Sequence, residues 1–167
     1  AVVFLSRILG LLYFMNSIDN QALFDRSKKQ LLYNTVPFLV FFLYFVIALL
    51  FKDGFAYNPT SGVITVESYK YLHNLLAIPL NTLMLLVGVV GVLWGIGSTL
   101  LKGGSKGIWF AGGGTVLTVW ALLILSAFNN TSFYPSIFDM QSSLTIENAS
   151  SSRFTLVAMS YVSLFVP

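Results

Sequence analysis

Long apolar runs alternate with short polar segments along this chain. Three of the runs, residues 31–51, 72–101 and 108–128, contain no Asp, Glu, Lys or Arg. A run of about 18 or more apolar residues is long enough to cross the hydrocarbon core of a bilayer as a helix. The pattern therefore predicts three complete transmembrane helices, and the predicted fold class is an all-α membrane protein.

Two further apolar runs lie at the ends of the sequence. Residues 1–18 are interrupted by Arg7, and residues 154–167 stop within an apolar stretch. Each run is too short or too polar to be a complete span. We interpret both as truncated helices, so residues 1–167 are expected to be a single transmembrane domain from a longer chain.

Four polar segments separate the apolar runs, at residues 19–30, 52–71, 102–107 and 129–153. The second and fourth segments contain three basic residues and four acids. The first and third carry most of the basic residues, which are Arg26, Lys28, Lys29, Lys102 and Lys106. Loops rich in Lys and Arg stay on the cytoplasmic side. We therefore predict that 19–30 and 102–107 are cytoplasmic and that 52–71 and 129–153 lie outside.

Composition supports the membrane assignment and excludes several kinds of chemistry. Hydrophobic residues make up 56% of the chain and charged residues 9%, against about 25% charged in soluble domains. The net charge of +3 comes from residues beside the apolar runs, which favours a topology signal over nucleic-acid binding. There is no Cys, so disulfides and thiolate sites are excluded. No catalytic triad, carboxylate pair or metal-ligand cluster can be assembled, so no catalytic centre is expected in this chain.

Four polar residues in or beside the apolar runs are candidates for specific roles. Arg7 could pair with a lipid phosphate, a cofactor or another subunit, or its charge could reach the membrane surface. His73 could titrate or ligate, or it could be a hydrogen-bonded histidine at the interface. Asn74 and Asn81 are seven residues apart and share one helix face. They could bind a polar ligand or hydrogen-bond a neighbouring helix.

Glycines in the second and third spans are candidates for close helix packing. Gly91 and Gly95 form a small-xxx-small pair, which lets another helix approach closely. The triplet at 112–114 has no Lys-Ser or Lys-Thr after it, so it is not a phosphate-binding loop. The predicted packing residues are Gly91, Gly95, Gly112, Gly113 and Gly114.

The last polar segment and the run after it carry an unusual series of residues. The series is Pro135, Ser143, Leu144, Thr145, Asn148, Ala149, Ser150, Ser151, Thr155, Leu156 and Met159. It resembles the late region of subunit II of cytochrome bd-type quinol oxidases. The order of spans and basic loops upstream is also similar to that family.

The resemblance implies a fold and a supporting role. The family fold is two repeated four-helix bundles plus one helix. This chain would be the C-terminal half, with one bundle and its entering helix. Haems b and d would belong to the partner subunit I, where quinol oxidation is coupled to reduction of oxygen to water. Subunit II would hold no haem and would stabilise the complex in the bacterial inner membrane.

The resemblance also raises the question of a structural quinone, which some family members hold in subunit II. The aromatic-rich run of the first complete span could line such a site, or it could face lipid. Its residues are Phe38, Phe41, Phe42, Tyr44 and Phe45.

Two alternatives stay open at this point. Pro79 and the glycine-rich stretches are typical of the broken helices of secondary transporters, so the chain could be half of a transporter. The three complete spans lack the carboxylates that ion coupling would need. An unrelated membrane scaffold is the other alternative.

Overall fold

The structure, a computed structural model, describes residues 1–58, 60–61, 63–127 and 129–132. Within these residues the chain forms helices and a small three-stranded sheet, in the order α1 Val2–Ser17, α2 Gln21–Leu50, β1 Gly54–Tyr57, β2 Ile64–Glu67, α3 Lys70–Ala77, α4 Pro79–Lys102, α5 Gly107–Ala127 and β3 Thr131–Ser132. Helices α2, α4 and α5 are long and apolar enough to cross a membrane. The predicted all-α membrane fold with three complete spans is confirmed.

Helix α2 begins ten residues before the predicted start of its span. The Asn20 side-chain oxygen accepts hydrogen bonds from the backbone N–H groups of Ala22 and Leu23, at 3.0 and 3.2 Å, and so caps the helix. The 30 residues of α2 span about 45 Å, which exceeds a hydrocarbon core of about 30 Å. Most of the predicted loop 19–30 is therefore a polar extension of the helix, because Gln, Lys and Arg are good helix formers.

The predicted span 72–101 is two helices rather than one. Helix α3 ends at Ala77 and Pro79 opens α4, with Ile78 between them at φ −121° and ψ 81°. Proline disfavours helical geometry in the residue before it and is well tolerated in the first turn of a helix. The Thr82 hydroxyl donates a hydrogen bond to the Leu75 carbonyl, which bridges the break.

The small sheet joins two segments that are distant in sequence. Its strand order is β2-β1-β3, and both pairings are antiparallel. Strand β1 follows α2 and β3 follows α5, with Phe55 opposite Ser132. The sheet therefore places residues 54–57, 64–67 and 131–132 at the same end of the bundle. We call this the sheet end, and the opposite end, with residues 103–106, the basic end.

The described helices pack into a bundle of α1, α2, α4 and α5, with α3 at the sheet end. Helix α1 packs against α2, and α4 packs closely against α5. The shared core contains Ile8, Leu12, Met15, Leu31, Phe38, Val92, Ile96 and Ala111. Many large apolar side chains, such as Trp109 and Leu101, are exposed on the outer faces, as expected for helices that contact lipid. The predicted last helix, residues 154–167, lies outside the described residues.

Candidate functional site

The α4–α5 contact runs along most of both helices. Buried positions in each helix recur in alternating steps of four and three residues. The positions in this series are Asn81, Leu85, Gly88, Val92, Gly95 and Thr99 in α4, and Gly107, Ala111, Gly114, Thr118, Ala121 and Leu125 in α5; Ile96 of α4 is also buried but lies outside the series. Such spacing averages 3.5 residues, the repeat of a left-handed coiled coil. We call this contact the α4–α5 seam.

Glycine lets the two backbones meet in the seam. A Cβ on Gly95 would lie 2.5 Å from the Gly107 carbonyl oxygen, and a Cβ on Gly114 would lie 2.5 Å from the Gly88 carbonyl oxygen. A Cβ on Gly91 would lie 3.2 Å from the Gly114 Cα. Real Cβ atoms do not approach backbone this closely, so a side chain at Gly95 or Gly114 would push the helices apart.

The structure divides the predicted packing glycines into two groups. Gly91, Gly95 and Gly114 lie in the seam, whereas a Cβ on Gly112 or Gly113 would meet no atom of the described residues within 4 Å. Sequence reasoning did not assign packing roles to Gly88 and Gly107. The seven-residue spacing of Asn81, Gly88 and Gly95 could have indicated that Gly88 shares the packed face of α4.

Two asparagines extend the seam to the sheet end. Asn81 Nδ2 donates to the Ala121 carbonyl oxygen at 3.1 Å, and Asn74 Nδ2 donates to the Leu125 carbonyl oxygen at 3.0 Å. Asn74 also donates to Thr131 Oγ1 and accepts from Asn129 Nδ2. Both asparagines are buried. Both asparagines face α5 although the helix is interrupted between them at Ile78, and their hydrogen bonds join neighbouring helices.

An ion cluster lies at the sheet end, outside the spans. Lys70 Nζ donates to Glu67 Oε2 at 2.9 Å, and His73 Nδ1 lies 2.8 Å from Glu67 Oε1. The hydrogen bond from Lys70, and then that with His73, hold the pKa of the Glu67 carboxyl below its usual value. Lys70 is buried because β1 passes close to it, with a Cβ on Gly54 only 2.7 Å from the Lys70 Cβ. The cluster therefore ties β2 to α3.

The structure places Arg7 and His73 in different surroundings. Arg7 is exposed on α1, beside the buried Ile8, and its side chain has no hydrogen-bond or ion-pair partner among the described residues. The His73 side chain is 54% exposed and contacts Glu67. No group of three or more His, Cys, Asp or Glu side chains comes together in the described part of the chain.

A cleft of about 440 Å³ lies between α1, α2, α4 and α5. Four residues of the predicted aromatic run line it, Phe38, Phe41, Phe42 and Phe45, whereas Tyr44 is not among its lining residues and is 72% exposed. The polar side chains in its wall are Thr115 and Thr118. Their hydroxyls donate to the Ala111 and Gly114 carbonyl oxygens, at 2.7 and 2.8 Å. The walls suit a hydrocarbon chain, but these lining side chains offer no free donor to a quinone carbonyl.

The family model for cytochrome bd terminal oxidase subunit II matches residues 1–167. The chain belongs to this family. No curated protein and no solved structure matches the chain. Membership makes the chain a subunit of a multi-subunit, membrane-bound oxidase complex, and it decides against the transporter and unrelated-scaffold alternatives.

The residues that carry the resemblance to bd oxidase subunit II lie outside the described residues. They are Pro135, Ser143, Leu144, Thr145, Asn148, Ala149, Ser150, Ser151, Thr155, Leu156 and Met159. Their predicted structural role stays a prediction. The features that the structure does describe in this bd oxidase subunit are the seam, the sheet-end cluster and the apolar cleft.

Proposed function

We propose that this chain is the non-haem subunit of a quinol-oxidising terminal oxidase in the bacterial inner membrane, and that its role is to stabilise the complex. Its partner is a haem-bearing subunit I that carries haems b and d and reduces oxygen to water with electrons from quinol. The family supports the kind of complex, and the arrangement of polar groups in this chain supports the role.

The observation that carries the structural role is how the spans use their polar side chains. Residues 31–50, 79–101 and 108–127 contain no Asp, Glu, Lys, Arg or His. The buried Asn81, Thr99 and Thr118 side chains donate to main-chain carbonyl oxygens of their own or the neighbouring helix. Charged side chains inside a bilayer are the usual mark of ion pathways and proton relays. The described spans offer packing contacts instead.

The apolar cleft has a part in the same proposal. The structural quinone implied by the resemblance would meet aromatic walls there, formed by Phe38, Phe41 and Phe42. Because the wall hydroxyls already donate to their own helix, the fit is to a prenyl or acyl chain rather than to a quinone ring. We propose that the cleft holds such a chain as packing material, with no step of the reaction assigned to it.

Purification through an affinity tag on this chain tests the proposal. We expect the tagged chain to bring down a haem-bearing subunit with b- and d-type absorption and quinol oxidase activity. We compare Gly95→Leu with Gly113→Leu, since Gly95 lies in the seam and Gly113 faces open space. Gly95→Leu should lower the amount of haem recovered, while turnover per assembled haem stays the same.

Two results would contradict the proposal. If the tagged chain purified without haem, the proposed association with a haem-bearing subunit I would be contradicted. A Gly95→Leu complex with full haem content but reduced turnover per haem would place this chain in the chemistry rather than in support of it.

A further inference from the structure

A groove lies between α2 and α4, toward the basic end. Its volume is about 640 Å³. Leu32 and Leu39 of α2 and Leu93 and Leu100 of α4 form its apolar walls, with Gly97 between them. Lys28, Lys29 and Asp25 line the part of the groove on the polar extension of α2. One groove therefore joins a charged mouth to an apolar body.

The apolar body has the dimensions and surface that a hydrocarbon chain needs. A Cβ on Gly97 would meet no described atom within 4 Å, so the groove is open at this point. The Thr35 hydroxyl donates to the Leu31 carbonyl oxygen at 2.7 Å, so this hydroxyl is not a free donor for a ligand. From Lys28 to Leu39 the helix rises about 16 Å, which is close to half of a hydrocarbon core of about 30 Å. An acyl chain of one leaflet fits this length.

The mouth favours a negatively charged headgroup. Neither lysine forms an ion pair among the described residues, because the two pairs present both use Glu67. Among the residues that the structure describes, Asp25 is the only acid that lines the groove, and its Oδ1 accepts a hydrogen bond from Gln21 Nε2 at 3.2 Å. Lys28 is partly buried and Lys29 is exposed. Basic pockets between transmembrane helices on the cytoplasmic side bind anionic lipid headgroups.

We propose that this groove binds one anionic phospholipid. Its phosphate would lie between the Lys28 and Lys29 ammonium groups, and one acyl chain would lie along Gly97 between α2 and α4. This binding site goes beyond the proposed support of an oxidase and needs only the membrane placement of the helices. A transmembrane helix of a partner subunit could also approach Gly97, but it would not by itself neutralise the lysine pair. Charge and shape together favour the lipid.

The test uses the intact detergent-purified complex that contains this chain, stripped of lipid and titrated with phosphatidylglycerol or phosphatidylcholine. Native mass spectrometry counts the bound lipids. We expect one site that prefers phosphatidylglycerol. Lys28→Gln and Lys29→Gln should each weaken that binding about fivefold, and Gly97→Leu should abolish it. A Lys28→Arg, Lys29→Arg double variant should retain it, which separates lost charge from misfolding.

Matched controls sit elsewhere in the chain. Lys106 lies at the same end but does not line the groove, and Gly113 also faces open space, so Lys106→Gln and Gly113→Leu should leave binding unchanged. Excess inorganic phosphate should not displace the lipid, because the acyl chain contributes to binding. Equal binding of the two lipids, unchanged binding in the lysine variants, or a partner helix cross-linked to position 97 would overturn the proposal.

Discussion

The Asn81 side-chain amide lies 3.1 Å from the Ala121 carbonyl oxygen, and this hydrogen bond joins α4 to α5 just after the break at Ile78. Asn74, seven residues earlier, makes an equivalent hydrogen bond to the Leu125 carbonyl oxygen of α5. Because α3 and α4 are separate helices, continuous helical geometry cannot by itself align the two amides. Their common attachment to α5 holds the segments on either side of the break.

The first prediction concerns these asparagines. Asn81→Ala should weaken the α4–α5 contact by about 0.6–1.7 kcal/mol, the range for interhelical hydrogen bonds in membranes. Asn74→Ala should cost more, because Asn74 is fully buried and also bonds Thr131 and Asn129. The measurement is hydrogen exchange of the first turns of α4. Asn34→Ala is the control, since its amide donates to Gln30 within α2. Equal effects of all three variants would contradict the prediction.

The second prediction uses the glycine triplet of α5 as its own control. Gly114→Ala should destabilise the protein by about 1–3 kcal/mol, as overpacking does, because its Cβ would lie 2.5 Å from the Gly88 carbonyl oxygen. Gly113→Ala should be neutral or slightly stabilising, since that position is open and alanine favours a helix. Unfolding of the purified complex in SDS measures both. Similar losses from the two substitutions would show that the seam is not where the backbones meet.

The third prediction follows from the lowered pKa of Glu67. A carboxyl whose pKa is lower in the folded state stabilises it fully above the unfolded pKa, and that stabilisation is lost as the pH falls through the folded pKa. The tie between β2 and α3 should therefore loosen as the pH falls below the ordinary glutamate pKa of about 4.3. Hydrogen exchange of these segments, compared with Glu67→Gln at each pH, measures the loss. The difference should be at most about fivefold, since the Glu67 side chain is 37% exposed although Lys70 is buried, and solvent-screened ion pairs contribute about 0–1 kcal/mol.

The controls for this pH effect are direct. Lys52→Gln, which removes a lysine from the loop after α2 without touching the cluster, should leave the pH dependence intact. A protein in which Glu67→Gln keeps the same acid-dependent loosening would assign the effect to another group.

The fourth prediction concerns orientation in the membrane. The chain has no Cys, so a single introduced cysteine reports its own side. Ser105→Cys, in the turn between α4 and α5, should react with a membrane-impermeant thiol reagent only from the cytoplasm. Ser61→Cys, between β1 and β2, should react only from outside. Reaction of both from one side would contradict a single crossing by α4 as well as the basic-loop rule.

Much of the fold could be predicted from the sequence because a bilayer imposes length and polarity on each span. The three apolar runs correspond to α2, α4 and α5, with starts that were wrong by up to ten residues. Both errors arise because hydropathy does not show where a helix begins or where, as at Pro79, it is interrupted. A polar segment such as 21–30 looks like a loop when hydropathy is the only criterion, although Asn20 was an available helix-capping signal.

The candidate site was harder to predict, because close packing depends on which face of a helix meets its neighbour. Gly112, Gly113 and Gly114 are consecutive glycines that the sequence does not distinguish, but of the three only Gly114 faces α4. The seven-residue spacing predicted that Asn74 and Asn81 share one face of a single helix. The structure keeps both facing α5 across a helix break, and their partners on α5 could not be predicted from spacing. The pairing of β1 with β3 joins short segments distant in sequence, which local patterns do not encode.

The central position of β1 also has a consequence for biogenesis. Strand β1 ends at Tyr57 and its second partner begins at Thr131. At a synthesis rate of about 5–20 residues per second, one edge of β1 waits on the order of 4–15 s for that partner. Helices α4 and α5 must both be inserted before the sheet is complete. The sheet is therefore completed only after α5 has been inserted, and a chain stalled before α5 would leave one edge of β1 unpaired.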